Sequence, residues 1–411
     1  MKKKRILMVA YHFPPLAGSS GIQRTLRFAQ HLPALGWEPL VLSADPRAYE
    51  RTADDLLREV PEGMVVRRAF ALDTARHLTL KGRYLGAMAR PDRWISWRFD
   101  GVRQGLRLIR EYQPDLIWST YPIATAHVIG ARLHRESGIP WVADFRDPMA
   151  QDGYPADPKT WKAFQAIEAE AAQQARWCVF TTPGAAQDYR ARYPQAAART
   201  VVIENGYDEE SFTGAPAAAQ AAPGKRPWVL LHSGIVYPSE RDPTQLFIAL
   251  ARLQREGLLA PEELRIRFRS AVHDELLRGL AAAHGVTDFI ELCPPIGYRE
   301  ALAEMLGADG LLVMQASNCN AQIPAKIYEY LRAGRPILAL TDPAGDTAGV
   351  LRTAALPDIV PLDSAEAIAA ALLRLLAQLR AGQVTLPDPA AVRQASRRGR
   401  AEQLVQLLGS T

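Results

Sequence analysis

Short apolar runs of strand length alternate with segments of helical period along most of this 411-residue chain, and the alternation stops once and then restarts. No other feature limits the fold as strongly. Arg5–Ala10 reads as a buried parallel strand, and Pro14, Pro15, Gly18 and Gly21 then break the chain into a loop. Ile22–Leu35 sets Leu26, Phe28, Ala29, Leu32 and Leu35 at helical spacing before a stop at Gly36, and Pro39–Ser43 is the next strand. Asp115–Ser119, Pro140–Asp144, Cys178–Thr181 and Val201–Glu204 continue as strands, with helices near Ile123–Glu136 and Pro158–Ala175. Strands that alternate with helices pair in parallel and carry helices on both faces.

Residues 213–227 interrupt the rhythm: they hold three prolines and no hydrophobic period, and read as an exposed linker. The pattern then resumes with strands Trp228–Ser233, Leu264–Arg269, Asp288–Leu292, Gly310–Gln315 and Pro336–Thr341. Helices Pro243–Glu256, Asp274–His284, Tyr298–Ala308 and Pro324–Ala333 separate them. The expected architecture is α/β: two doubly wound Rossmann-like domains facing across a cleft, residues 1–212 and 228–385. A last helix, about Pro389 to Leu408, would pack back on the first domain. Open parallel sheets bind ligands beyond the carboxyl ends of their strands, so the cleft is the expected site.

Composition narrows the setting. Three cysteines, Cys178, Cys293 and Cys319, are far apart and form no Cys-x-x-Cys, which fits a reducing compartment and excludes a disulfide framework or structural zinc. The basic start Met1–Arg5 is followed by only five apolar residues, too few for a signal peptide, and no run approaches a membrane span. A cytoplasmic chain is expected. Between Arg67 and Glu111 eleven Lys and Arg face four Asp and Glu, a local excess of seven against a whole-chain net of +5, with Tyr84, Trp94, Trp97 and Phe99 interleaved. That stretch suits phosphates or an anionic membrane surface; a solvated helical face in an arginine-rich chain is the alternative.

The most informative stretch runs from Asn320 to Leu338. Pro324 suits a first helical turn, whose amides and dipole favour an anion. Lys326 falls in that turn and is the only lysine after Lys225, in a region otherwise served by arginine. A compact ammonium where arginine is the rule fits a phosphate oxygen. Glu329, three residues on, suits the two hydroxyls of a ribose; the plainer reading is a surface Lys–Glu pair.

Ile323-Pro-Ala-Lys-Ile-Tyr-Glu-Tyr-Leu-Arg-Ala-Gly-Arg-Pro-Ile337 resembles the donor-binding helix of glycosyltransferase family 4, retaining enzymes of the GT-B fold, in a subgroup whose helix begins Ile-Pro-x-Lys. Tyr11–Arg24 is similar to that family's first strand, loop and helix, and Glu204-Asn-Gly-Tyr-Asp208 to its Asn-Gly-x-Asp turn. His232-Ser-Gly-Ile-Val-Tyr-Pro-Ser-Glu-Arg241 lies where the family contacts the donor diphosphate. The resemblance implies donor contacts at Glu329, Ser233, Gly234, Ile323, Pro324, Ala325 and Asn205, with Arg241 and Lys326 catalytic through their charge. Two positions depart from the family: Ala321 replaces a glutamate, and Ile235 an arginine, with Arg241 at the family's lysine position.

Arg267 and Arg269, near a strand end, are further candidate phosphate ligands. In the first half, Gly18, Ser19 and Gly21 let the backbone approach an acceptor, or merely form a tight turn. His12 and Arg24 flank that loop and are assigned with it to the acceptor, although a lone histidine there is as often structural. Asp144, Arg146 and Asp147 close a strand: Asp144 would meet the acceptor and Asp147 act on its hydroxyl, unless an Arg146 salt bridge simply fixes the loop. No Asp-x-Asp is present, so no metal and no cofactor beyond the donor are expected. The function expected is sugar transfer from a nucleotide sugar to a glycan or polyprenyl-linked acceptor in cell-surface polysaccharide or glycoconjugate synthesis. A sugar-nucleotide epimerase and a non-catalytic nucleotide-sugar-binding protein are the alternatives. The first loop lacks Gly-x-Gly-x-x-Gly, against a nicotinamide enzyme, and no nucleic-acid-binding module is visible.

Overall fold

A computed structural model describes residues 3–19, 21–213 and 226–409. The chain divides into two compact units, residues 1–205 with 397–411, and residues 206–396.

In the first unit the strands are β1 (Lys4–Val9), β2 (Trp37–Ala44), β3 (Val65–Ala69), β4 (Leu116–Thr120), β5 (Trp141–Arg146), β6 (Trp177–Phe180) and β7 (Thr200–Val202). Helices α1 (Gly21–His31), α2 (Thr74–His77), α3 (Trp97–Tyr112), α4 (Thr125–Ser137), α5 (Pro158–Gln174) and α6 (Pro183–Arg192) connect them. The strands form one parallel sheet in the order β3-β2-β1-β4-β5-β6-β7. Ile6–Val9 on β1 is wholly buried because helices cover both faces, which is why this strand reads as a continuous apolar run. Helix ends follow local chemistry: Asp157 and Thr182 accept the amides of Thr160 and Ala185, and Gly138 ends α4 at φ 71°. Helix α3 has no side chain at Gly101 and Gly105, where a Cβ would lie 2.6 Å from Ile129 and from Leu133 of α4. Those two glycines let the helices close on each other.

In the second unit the elements are α7 (Glu209–Phe212), β8 (Trp228–Ser233), α8 (Thr244–Arg255), β9 (Leu264–Arg269), α9 (Asp274–Ala283), β10 (Ile290–Cys293), α10 (Tyr298–Gly307), β11 (Gly310–Gln315), α11 (Lys326–Ala333), β12 (Ile337–Thr341), α12 (Asp346–Thr353), β13 (Ile359–Val360), α13 (Ala365–Ala381) and α14 (Pro389–Gln394). The sheet, again parallel, runs β10-β9-β8-β11-β12-β13. Strand order reverses between β1 and β4 in one unit and between β8 and β11 in the other, the places where open sheets leave a crevice.

The boundaries differ from those expected. The division falls between Asn205 and Gly206 rather than after residue 212, because Tyr207 and Phe212 are buried in a cluster with Leu231 and Tyr330 of the second unit. Most of the expected linker, residues 214–225, lies outside the described residues. The single C-terminal helix is two: α14, whose Ala391 and Val392 pack on the second unit, and α15 (Arg397–Gly409), which belongs to the first. Ala401, Leu404 and Leu408 of α15 join Leu26, Phe28 and Leu32 in one buried cluster. Arg400 donates to Glu204 Oε2 at 2.6 Å and to the Asn205 carbonyl at 3.0 Å.

Gly105→Val should lower the unfolding free energy by about 1–3 kcal/mol by overpacking α3 against Leu133. Urea titration checks this, and a stability equal to that of the original chain would contradict the close packing of α3 on α4.

Candidate functional site

Lys326 is the first residue of α11, and its side chain runs back toward the end of β8, where its ammonium donates to Ser233 Oγ at 3.4 Å. Gly234 makes this possible twice over. Its φ of 139° lies in the region that disfavours side chains, and a Cβ there would sit 2.7 Å from Lys326 Nζ. Ser233 is fixed by its own amide, which donates to the buried Tyr330 hydroxyl at 2.8 Å. Arg241 approaches from the loop after β8; it donates to the Ile235 carbonyl at 2.6 Å and lies over the Tyr237 ring at 5.2 Å. These groups, with His232, Pro324 and Ala325, surround a cavity of about 260 Å³ at the β8–β11 reversal.

The electrostatics of this cavity are cationic. Burial lowers the Lys326 pKa from its ordinary value; Glu329 pulls it up and Arg241 pushes it further down. His232 is lowered to about 4, chiefly by burial, with the Leu312 carbonyl opposing and Arg241 and Lys326 adding to the fall. At neutral pH it is an uncharged imidazole, and since a carbonyl only accepts, Nδ1 carries the proton donated to Leu312 at 3.0 Å. Two cations and the positive end of α11 therefore converge on one half-buried space, which matches a polyphosphate group.

The structure brings together Lys326, Arg241, Ser233, Pro324 and Ala325 there, with Gly234 against the lysine. Ile323 lies on the approach to α11 and is packed against the second unit's core. Glu329 is one turn along the helix, and its Oε1 accepts from Tyr298 Oη at 2.7 Å. Tyr298, Tyr330, Tyr237 and His232 were not singled out in the sequence. Tyr237 and His232 lie within the segment His232–Arg241 and Tyr330 within Ile323–Ile337, whereas Tyr298 lies in neither.

Arg269 and Arg267, the further candidate phosphate ligands, are both ion-paired. Arg269 is held by Glu304, with Nε and Nη2 both at 2.8 Å, and by the Pro294 carbonyl. Arg267 is held by Glu291 and Glu304. Both guanidinium groups tie β9 to β10 and α10. Asn205 belongs to the other unit, where its carbonyl serves Arg400.

In the first unit the loop residues gather around a buried ion network. Arg24, 2% exposed, grips the fully buried Asp144 through Nε and Nη2 and also donates to the Ile203 and Glu204 carbonyls. Thr120 donates to the same carboxylate at 2.7 Å. Burial alone would raise the Asp144 pKa; Arg24, then Arg146 and Thr120, outweigh it and hold the carboxyl below its usual range. Arg24 and Asp144 are thus a structural tie between α1, β5 and the end of β7, which corrects their assignment to an acceptor. Arg146, at φ 65°, donates to Thr120 Oγ1 and to the Gly21 carbonyl. The alternative reading of that strand end, in which Arg146 fixes the loop, is the one its contacts support.

His12 stands against Gly21, where a Cβ would come within 2.4 Å of Nδ1, and Ser19 Oγ lies 3.1 Å from the same nitrogen. Burial, then the Arg146 charge, lowers the His12 pKa to about 4. Gly18, at φ 79°, has open space where a side chain would be, so its role is in the turn. Asp147 is raised above the ordinary carboxyl range by burial, with Arg146 and Arg24 opposing. Among the described residues, no group of three His, Cys, Asp or Glu side chains is placed to hold a metal ion, and no helix is long and apolar enough to cross a membrane.

Residues 20–206 match the family model described as a glycosyl transferase 4-like domain. No curated protein matches the sequence. Among solved structures, a sucrose-phosphate synthase from Thermosynechococcus elongatus is similar at 16% identity and a TM-score of 0.61, covering 99% of this chain and 98% of that one. Anabaena Alr3699/HepE in complex with UDP is similar at 14% identity and 0.63, covering 99% and 100%. A glycosyltransferase from Rickettsia africae ESF-5 reaches 0.64 at 13% identity, covering all of both chains. The fold is that of the GT-B glycosyltransferases, two Rossmann-like units in one chain.

Gly234→Ala should displace the Lys326 ammonium and weaken inorganic pyrophosphate binding about tenfold, one charge-assisted contact being worth about 1.5–3 kcal/mol. Calorimetry checks it, and unchanged affinity would contradict the pocket. Arg24→Met, which strands a buried carboxylate, should cost about 3–5 kcal/mol of stability near pH 7. Because folded Asp144 titrates below the unfolded carboxyl, the pair's contribution is complete above about pH 3.9 and lost as pH falls through the folded value. Urea unfolding at neutral and acid pH should therefore show the two chains converging in acid; a constant gap would contradict it.

Proposed function

We propose that this chain is a glycosyltransferase that moves a sugar from a nucleotide-sugar donor to a glycan or lipid-linked acceptor in cell-surface polysaccharide or glycoconjugate synthesis. The observation that carries the reading is the pairing of Lys326 and Arg241 across the cavity at the start of α11. The family-model match over residues 20–206 and the likeness to a structure in complex with UDP support it.

Cleavage of a nucleotide sugar leaves growing negative charge on the β-phosphate. Lys326, Arg241 and the dipole of α11 are preorganised positive groups, and preorganisation matters most where water is scarce. They supply the charge neutralisation that a divalent ion supplies in other transferases, so the proposed reaction is metal-independent. A phosphate with a second pKa near ~6 is a competent leaving group without a separate general acid. The departing phosphate takes the acceptor hydroxyl's proton, and attack from the same face retains the anomeric configuration. Glu329, oriented by Tyr298, receives the ribose hydroxyls. Asp147, whose raised pKa reflects its burial, is the carboxyl assigned to the acceptor hydroxyl, and His12 and Ser19 border the acceptor's approach.

A thermal-shift panel of UDP-, GDP- and dTDP-sugars should give one nucleotide series that stabilises the chain by mass action. With that donor, Glu329→Ala should weaken binding about tenfold while leaving the unfolding midpoint of the free chain in place. Lys326→Ala should lower kcat by about 10²–10³ and affinity much less, because the charge it meets grows in the transition state. Equal losses in affinity and turnover, or no nucleotide that binds, would contradict the assignment.

A further inference from the structure

Between Asp73 and Asp92 the sequence has no carboxylate, but it carries Arg76, Lys81, Arg83 and Arg90. In the first unit this segment projects as a built wedge. Leu80 and Arg83 exchange backbone hydrogen bonds at 2.9 and 3.1 Å, and the two residues between them, Lys81 at φ 51° and Gly82 at φ 73°, have the positive φ angles of a type I′ hairpin turn. The far end is pinned where Thr74 Oγ1 donates to the Met88 carbonyl at 2.8 Å, and Thr74 N donates to the Arg93 carbonyl. Residues 80–88 are exposed without interruption.

The side chains on this wedge do not suit water. Leu80 is 80% exposed and Leu85 73%, with Tyr84 and Met88 beside them. The basic stretch expected to meet phosphates is otherwise largely occupied inside the unit. Arg93 is bound to Asp73 and Glu50, Arg68 to the Tyr49 hydroxyl, Arg67 to Glu111 and Arg103 to Asp100, and Arg90 lies 3.6 Å from Asp157. The cationic character left at the tip is that of Lys81 and Arg83, with no acidic residue in the wedge.

We propose that residues 80–88 form a membrane-docking wedge, with Leu80 and Leu85 entering the acyl boundary of an anionic bilayer. Lys81 and Arg83 then meet the lipid phosphates, and Tyr84 lies at the headgroup level. Two observations select a lipid surface over a protein. The apolar residues stand on and beside an exposed hairpin turn with cations between them, the arrangement that buries apolar tips while charged heads stay at the interface. Nine residues are also well short of the ~20–30 per side that a specific protein interface uses. Positive charge without carboxylates complements the negative potential of anionic lipid, worth roughly 1 kcal/mol per basic residue near the surface. The proposal stands on this surface alone and is independent of the donor-site reading.

Co-sedimentation of the full chain with equimolar phosphatidylglycerol and phosphatidylcholine vesicles tests it, with phosphatidylcholine vesicles as control. The original chain should bind the anionic vesicles, and salt at ~0.5 M should weaken that binding. Leu80→Ser with Leu85→Ser should reduce it about tenfold or more at an unchanged unfolding midpoint, since both side chains lose their burial. Lys81→Gln with Arg83→Gln should remove the preference for anionic over neutral vesicles. In Tyr84→Trp, anionic vesicles should shift the tryptophan emission to the blue. Failure of the original chain to sediment, or equal binding by the leucine double variant, would overturn the proposal. So would a change of oligomeric state in the leucine variant, which would make the wedge a protein interface. Nucleotide binding measured in parallel would be unaffected by any of these substitutions, so failure here leaves the donor reading standing.

Discussion

An ammonium reaches Ser233 Oγ only because residue 234 has no side chain, and the cationic pocket of the second unit depends on that close approach. β8 ends in Ser233, its amide bonded to the buried Tyr330 hydroxyl, and α11 begins at Lys326 on the neighbouring crossover. The strand end and the helix start are locked to each other through the tyrosine as well as the lysine. A long, flexible side chain in water would hold its charge in no fixed place. Here burial on one side and Gly234 on the other leave the ammonium one path, and burial also keeps its pKa below the ordinary value. Arg241, anchored to the Ile235 carbonyl and laid over Tyr237, is fixed by a different loop, so the two cations need not move together.

The fold was legible in the sequence where strands are fully buried. Ile6–Val9 and Leu311–Met314 are apolar on both faces, which marks both as buried strands. Elements between such runs were less visible. β3 carries Arg67 and Arg68 within five residues, and all but Ala69 are only partly buried, so it lacks the apolar run of a central strand. Helix α3 mixes arginine with glycine, and its closest packing is made by Gly101 and Gly105, positions with no side chain to register in a hydrophobic period. The break between α14 and α15 was missed for a related reason. Both pieces keep helical composition, and what separates them is the core each one joins.

The site divides along the same line. The Lys326 motif was found because lysine is rare in this half of the chain and stands beside Pro324, so residue type carried information. Arginine carried almost none. With 41 arginines against eight lysines, a guanidinium group is often structural: Arg24 of α1 closes on Asp144, and at strand ends Arg269 closes on Glu304 and Arg146 on Thr120 and Gly21. Partners distant in sequence decided each case, and Arg24 and Asp144 are 120 positions apart. Tyr298 and Tyr330 show the converse, since each gains its role from one contact across the unit, which no local pattern announces.

Calorimetric titration of the chain with a nucleoside, its monophosphate and its diphosphate tests the cationic pocket most directly. The account predicts that the diphosphate binds at least about a hundredfold more tightly than the nucleoside, two charge-assisted contacts at about 1.5–3 kcal/mol each being gained. It also predicts that this gap narrows about tenfold in Lys326→Ala, Arg241 keeping its own contact. Equal affinity for all three ligands, or a gap left undiminished by the loss of the lysine, would contradict it.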